Sequence, residues 1–171
     1  MNMKVIRLPN YAGCFVCGHG NPSGLNVRFD TDGRSVCGRF VATETHMGYH
    51  GVLHGGVHSA LLDECMGWAA CLHRGVLFYA VELNVRFVRP GPLHAPLIVR
   101  GRLLDDRGRL CVGEGEIVDE AGTVYSRGKG RYFPLSKAQT AAMIKQIGHD
   151  AETPWPNDLD ELLRELAKPV A

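Results

Sequence analysis

At 171 residues and 45% apolar composition, the chain is sized for one compact domain with a short appendage. Its 19 basic and 18 acidic side chains leave a formal charge of +1, and the arginines are dispersed, so nothing marks a nucleic-acid track. No stretch approaches the ~18 apolar residues of a membrane span and no signal-type apolar run follows the N-terminus, so a cytoplasmic protein without membrane contact is expected.

Residues 1–24 are rich in Gly, Asn and Pro and are expected to form an irregular leader. The domain proper is expected over residues 25–134. Leu25, Val27 and Phe29 share one strand face, and DTDG turns the chain into a second strand with Val36, Gly38, Phe40 and Ala42 on one side. A glycine-rich approach leads into HGVLHGGVHSALLDECMGWAACLH, residues 50–73, which reads as a helix of about five turns. Four strands follow. In the first, Tyr79, Val81, Leu83, Val85 and Phe87 share a face, while Ala80, Glu82 and Asn84 share the other, where Glu82 can pair with Arg86, Arg100 or Arg102. The turns DDRG and DEAG join the last three into an antiparallel meander. Residues 135–171 form a helical extension: one short helix capped by Ser136, then an amphipathic helix with Leu159, Leu162, Leu163 and Leu166 on a stripe.

The long helix is apolar on nearly every side, yet carries Asp63 and Glu64 at its middle. Acids in a buried helix must be paired, neutralised or employed. Gly56, Ser59 or Ala60, Asp63, Gly67 and Ala70 form a stripe of small or polar positions that leaves room for a ligand. Unpaired first-turn amides and the helix dipole favour negative charge at the start, so Gly55 and Gly56 suit an oxyanion hole, with His54 orienting the turn or donating a hydrogen bond. A plain glycine-rich cap is the competing account. Asp63 can activate water or attack a carbonyl; a structural carboxylate paired with an arginine is its alternative. Glu64, about 100° away around the helix, is expected in a salt bridge.

His58 follows His54 by one turn, but no third ligand is evident, so a hydrogen-bonded histidine is expected rather than a metal. Six dispersed cysteines are expected as reduced thiols. Cys14 and Cys17 have the spacing of half a zinc site, which His19, His46 or His50 can complete; packed thiols are the simpler account, and no cofactor is expected.

The run GYHGVLHGGVHSALLDECMGWA, then VELNVRFVRPG, and the leader CFVCGHGNPSGLNVRF resemble the hotdog-fold thioesterases, in particular the phenylacetate-degradation type, over roughly Cys14 to Phe133. The resemblance implies an α+β hotdog fold, a sheet of about six antiparallel strands wrapped around one long helix. It implies homodimers, or dimers of dimers, that hydrolyse acyl-coenzyme A thioesters at the subunit interface. By position, His54, Gly55 and Gly56 look like the helix start that receives the thioester carbonyl, and Asp63 like the helix carboxylate, commonly acting across the interface. Asn84, Phe87 and Pro90 match the strand signature. This chain has Ala80 where many relatives carry Ser or Thr, and Gly48 where some carry Asn.

On this reading Ser59, Trp68, Asn84, Arg89, Arg127 and Arg131 are the candidate substrate-binding residues, the arginines together with Lys129 as phosphate contacts. Binding of an acyl thioester or small hydrophobic ligand without catalysis is the alternative.

Overall fold

The computed structural model describes residues 5–147 together with Asp160, Glu161 and Arg164. The expected six strands are present and a seventh joins them. Ile6–Arg7 (β1) pairs with Arg28–Thr31 (β2), so the leader is not wholly irregular. Ser35–Val41 (β3) follows, then a short ribbon of Met47–Tyr49 (β4) and Val52–Leu53 (β5). Gly55–Arg74 is the long helix (α1), which starts later than its apolar run because the ribbon uses residues 47–53. Gly75 ends it in a left-handed conformation, φ 65°, its N–H bonded to Cys71 O at 2.8 Å.

Phe78–Phe87 (β6), Pro96–Asp106 (β7), Cys111–Val118 (β8) and Val124–Pro134 (β9) complete a sheet ordered β1-β2-β3-β7-β8-β9-β6, antiparallel throughout. The meander β7-β8-β9 is as expected. β6 closes back on β9, and lies at one edge. This is the hotdog arrangement: one curved sheet around one helix.

Glycines allow the helix to sit close. Gly101 lies opposite Gly115, Gly115 opposite Gly128, and Gly113 opposite Gly130, a patch across three neighbouring strands. A Cβ at Gly113 would come 2.9 Å from Met66 Cβ, and one at Gly128 would come 3.2 Å from Leu62 Cδ1. Leu61, Leu62, Cys65 and Met66 are completely buried against this surface. Leu8, Val16, Cys17, Leu25 and Val27 bring the leader and the run into β2 onto the same core.

One expected strand face is corrected. A bulge at Val81 sets Ala80 opposite Tyr132 but Glu82 opposite Arg131. Ala80 therefore faces the helix side with Tyr132, while Glu82 and Asn84 face away. Glu82 pairs with Arg131 at 2.9 Å, rather than with Arg86, Arg100 or Arg102. Arg100 and Arg102 instead pair with Glu116 and Glu114 on β8.

Lys137–Ile147 (α2) starts at the expected cap: Gln139 N–H donates to Ser136 Oγ at 3.2 Å, and Ser136 N–H to Gln139 Oε1 at 3.0 Å. Asp160, Glu161 and Arg164 are helical, and Lys137 pairs with Asp160 at 3.0 Å. The expected leucine stripe lies outside the described residues. None of the described helices is long and apolar enough to cross a membrane.

Because Leu62 fills the space above Gly115 and Gly128 and is fully buried, Leu62→Ala should cost about 2–5 kcal/mol of unfolding free energy, read as a lower denaturant midpoint.

Candidate functional site

The start of α1 is capped by a ring. His54 has extended backbone, φ −64° and ψ 136°, and its Nδ1 accepts the Gly56 N–H at 2.8 Å. Accepting at Nδ1 places the ring proton of the neutral form on Nε2. His54 O takes the Val57 N–H at 3.0 Å. Of the two glycine amides, that of Gly55 has no hydrogen-bond partner among the described residues. A Cβ at Gly55 would lie 3.2 Å from Phe87 Cζ, so the Phe87 ring flanks this amide. A Cβ at Gly48 would lie 3.1 Å from His54 Cδ2, so the small residue here lets β4 close against the cap.

Ser59 donates to Gly55 O at 3.1 Å, within the helix. Along the stripe, Gly56 is exposed, Ser59, Ala60, Asp63 and Gly67 are partly exposed, and Ala70 is buried. Asp63 has no ion pair among the described residues, against the arginine pairing held open for it. Its partner is Tyr132, whose hydroxyl lies 3.2 Å from both Asp63 Oδ1 and Asp63 O. Burial raises the Asp63 pKa, and the Tyr132 hydrogen bond draws it partly back. Desolvation, then the neighbouring Asp63 charge, pushes the Tyr132 phenol far up, so it stays a donor.

Tyr132 did not figure among the expected site residues. Its one sequence signal was a phenol on a strand face otherwise built of Ser126, Gly128 and Gly130, where a buried hydroxyl must find a partner.

The other expected residues are spread out. Trp68 is buried in the core. Asn84 and Arg127 lie on the sheet face away from the helix, in the lining of a cavity of about 640 Å³ that also includes Arg86, Arg100, Glu116 and Lys129. Asp63 is not part of that cavity. Arg127 reaches Glu116 at 3.5 Å, and Arg131 is held by Glu82. Arg89 donates to Val124 O at 2.9 Å, where the chain leaves β6 and returns past the helix start; there Gly91 O takes the Leu53 N–H at 3.0 Å.

His58 is a buried, hydrogen-bonded histidine. Its Nδ1 lies 2.9 Å from the Ser126 hydroxyl, and Phe87 meets the ring edge-on with centroids 5.8 Å apart. Burial lowers its pKa to about 4.

Glu64 is not in the expected salt bridge. It faces the leader, with Oε1 and Oε2 3.8 and 3.9 Å from Cys14 Sγ. A hydrogen bond from Cys17 draws the Cys14 pKa down to about 6 and raises that of Cys17, while burial pushes Glu64 up to about 7. None of His19, His46 and His50 belongs to this cluster; His46 Nδ1 takes the Thr43 N–H at 3.0 Å.

The sequence profile of the thioesterase superfamily matches residues 50–126. Protein RHA08564, described as a thioesterase superfamily protein, has a crystal structure similar to this fold with a TM-score of 0.66 and 31% identity. The alignment covers 71% of this chain and 60% of that one, so this chain spans somewhat over half its relative's length. AziG of S. sahachiroi aligns over 65% of this chain and 92% of its own at 25% identity, TM-score 0.61. The smu.793 protein of Streptococcus mutans, solved bound to acetyl CoA, shares the fold at 18% identity, TM-score 0.56, over 60% of this chain and 82% of its own. No curated protein matches the chain.

The His58 geometry has a pH consequence. Its folded pKa lies near 4, below the ~6.5 of an unfolded histidine, so the unfolded chain binds the proton first as pH falls. Stability from this group is complete above pH ~6.5 and is lost as pH falls through 4, a change of about 3 kcal/mol. The unfolding free energy of His58→Gln should therefore fall less over that window than that of the wild type, measured by denaturant titration at each pH.

Proposed function

We propose that this chain, whose residues 50–126 match the thioesterase superfamily profile, hydrolyses an acyl-coenzyme A thioester at a site centred on Asp63. The observation that carries the reading is the state of Asp63: a partly exposed carboxylate on the small-residue stripe, held by the Tyr132 phenol and with no cation beside it among the described residues. A carboxylate kept only for structure is normally neutralised by a cation.

In the proposed reaction a water oxygen adds to the thioester carbonyl carbon as Asp63 takes its proton. Charge on the carbonyl oxygen is met by the first-turn amide and the dipole of α1. The C–S bond then breaks, and coenzyme A leaves as the thiol, taking up that proton. Direct attack by Asp63, with water opening the resulting anhydride, gives the same products.

Gly56 and Asp63 of one chain are seven residues apart, about 10 Å along the helix. One carbonyl and one water do not span that comfortably. The reading therefore has the helix start of one protomer facing the partner's Asp63 in a homodimer, with dimers of dimers as a further possibility of the fold. β6 is the available edge: its Val81, Leu83 and Phe87 are exposed beside α1. Arg89, nearest the helix start along the chain path, is our candidate for a coenzyme A phosphate, with Arg127 and Arg131 needing first to leave Glu116 and Glu82.

Ala80 favours a second reading. It faces the helix side opposite Tyr132 and brings no hydroxyl to orient water, as expected of a protein that binds an acyl thioester without turning it over.

A panel of acyl-coenzyme A substrates, followed by release of free thiol, separates the two. Turnover should fall by about 10²–10⁴ on Asp63→Asn and roughly 10-fold on Tyr132→Phe, with thermal stability largely retained. If no substrate turns over while ligands raise the melting temperature, binding alone is the function.

A further inference from the structure

The leader and the acid that Asp63's neighbour supplies form a second cluster, outside the proposed thioesterase site. Cys14, Phe15, Val16, Cys17 and Gly18 make a tight turn, with Gly18 N–H bonded to Cys14 O at 3.1 Å. The amides of Val16 and Cys17 both donate to Cys14 Sγ, at 3.3 and 3.5 Å. Paired amides directed at a sulfur stabilise it as an anion, the form in which cysteine ligates a metal. A side chain at Gly18 is excluded, since its Cβ would come 2.4 Å from Cys14 O and 2.6 Å from Cys14 N.

Glu64 comes to this turn from the middle of α1. The two sulfurs and a Glu64 oxygen all lie within 4.8 Å of one another. In a tetrahedral zinc site with Zn–S of about 2.3 Å and Zn–O of about 2.0 Å, sulfur and oxygen sit roughly 3.5 Å apart. The Cys14–Glu64 separations of 3.8 and 3.9 Å are close to that figure before any adjustment. Glu64 has no ion pair among the described residues, and Cys17 is buried. A carboxylate and two thiols packed together without a cation are poorly matched to each other and well matched to one.

We propose that Cys14, Cys17 and Glu64 bind a zinc-class divalent cation, with water in the fourth position, and that this cation fastens the leader to the central helix. Binding displaces the thiol protons and changes no oxidation state. The two thiolates and one carboxylate supply three negative charges against the two positive charges of the ion. Their mixture of soft sulfur and harder oxygen suits zinc and disfavours magnesium or calcium. Cys14 is partly exposed, which gives the ion and the fourth-position water a way in. The site is independent of hydrolysis: it stands on the side of α1 that faces the leader, whereas Asp63 is held by Tyr132 on β9.

The test uses the full chain, purified without chelator, reduced, loaded with zinc and desalted. Elemental analysis should find one zinc per chain, and cobalt in its place should give sulfur-to-cobalt charge-transfer absorption with tetrahedral visible bands. Cys14→Ser and Cys17→Ser should abolish both signals. Glu64→Gln keeps the side-chain shape and should weaken zinc binding at least 10-fold while circular dichroism stays unchanged, which reads the site even if a cysteine variant fails to fold. Zinc well below one per chain after loading overturns the proposal. So do undiminished zinc binding in Glu64→Gln, retention of zinc by a folded cysteine variant, and a mass two hydrogen atoms light before reduction with Cys14 and Cys17 linked in the peptide map, which would mark a disulfide.

Discussion

The close approach of α1 to the sheet is the constraint on which the rest depends. It is possible because β7, β8 and β9 set glycines opposite one another where the helix crosses. Without side chains there, Leu62 and Met66 reach the backbone of the sheet and are completely buried. Each such side chain contributes about 1.5–3 kcal/mol relative to leaving it in water. The glycines lower strand propensity, but the space at Gly101, Gly113, Gly115 and Gly128 is taken by helix side chains and that at Gly130 by Tyr132, so the volume is filled once rather than twice. A helix held this tightly has little rotational freedom, and the directions of its two acids follow from that.

Asp63 and Glu64 are adjacent in sequence and about 100° apart around the axis. That rotation sends one carboxylate to Tyr132 on β9 and the other to the cysteines of the leader. Both pKa values are raised chiefly by burial, yet their surroundings differ in kind. Asp63 has a neutral oxygen donor and partial exposure on the stripe. Glu64 has two sulfurs. The opposite face of the sheet follows another rule: there Arg100 and Glu116, and Arg102 and Glu114, form cross-strand ion pairs on solvated positions, the ordinary use of charge on an exposed sheet.

Periodicity made most of the architecture legible. Alternation marks β2, β3 and the three-strand meander, and the unbroken apolar run marks α1. What it does not show is the bulge at Val81, since Phe78, Tyr79 and Ala80 before it are all apolar and have no alternation whose phase could shift, so Ala80 and Glu82 read as sharing a face. The glycine patch was equally hidden, because GEGE and GKGR look unremarkable until the strands are in register. At the site, Asp63 stood out as a charge in an apolar helix. Tyr132 did not, because its contact spans 69 residues of sequence. From sequence Glu64 reads as a salt-bridge partner because ion pairs are the usual arrangement, while the leader that meets it has no periodicity from which to place a cysteine.

The edge of the sheet connects packing with chemistry. β6 runs for ten residues, has a neighbour on one side only among the described residues, and exposes Val81, Leu83 and Phe87. Such an edge is a liability when left open. It is also the strand that flanks the helix start, where Phe87 stands against Gly55, and that carries Ala80 opposite Tyr132. In the proposed dimer, covering that edge and enclosing the Asp63 stripe would be the same structural event. In the dimer proposed above, a second β6 would satisfy the free backbone groups and shelter the apolar side chains. It would also bring a second helix start within reach of an acid that lies about two turns from its own.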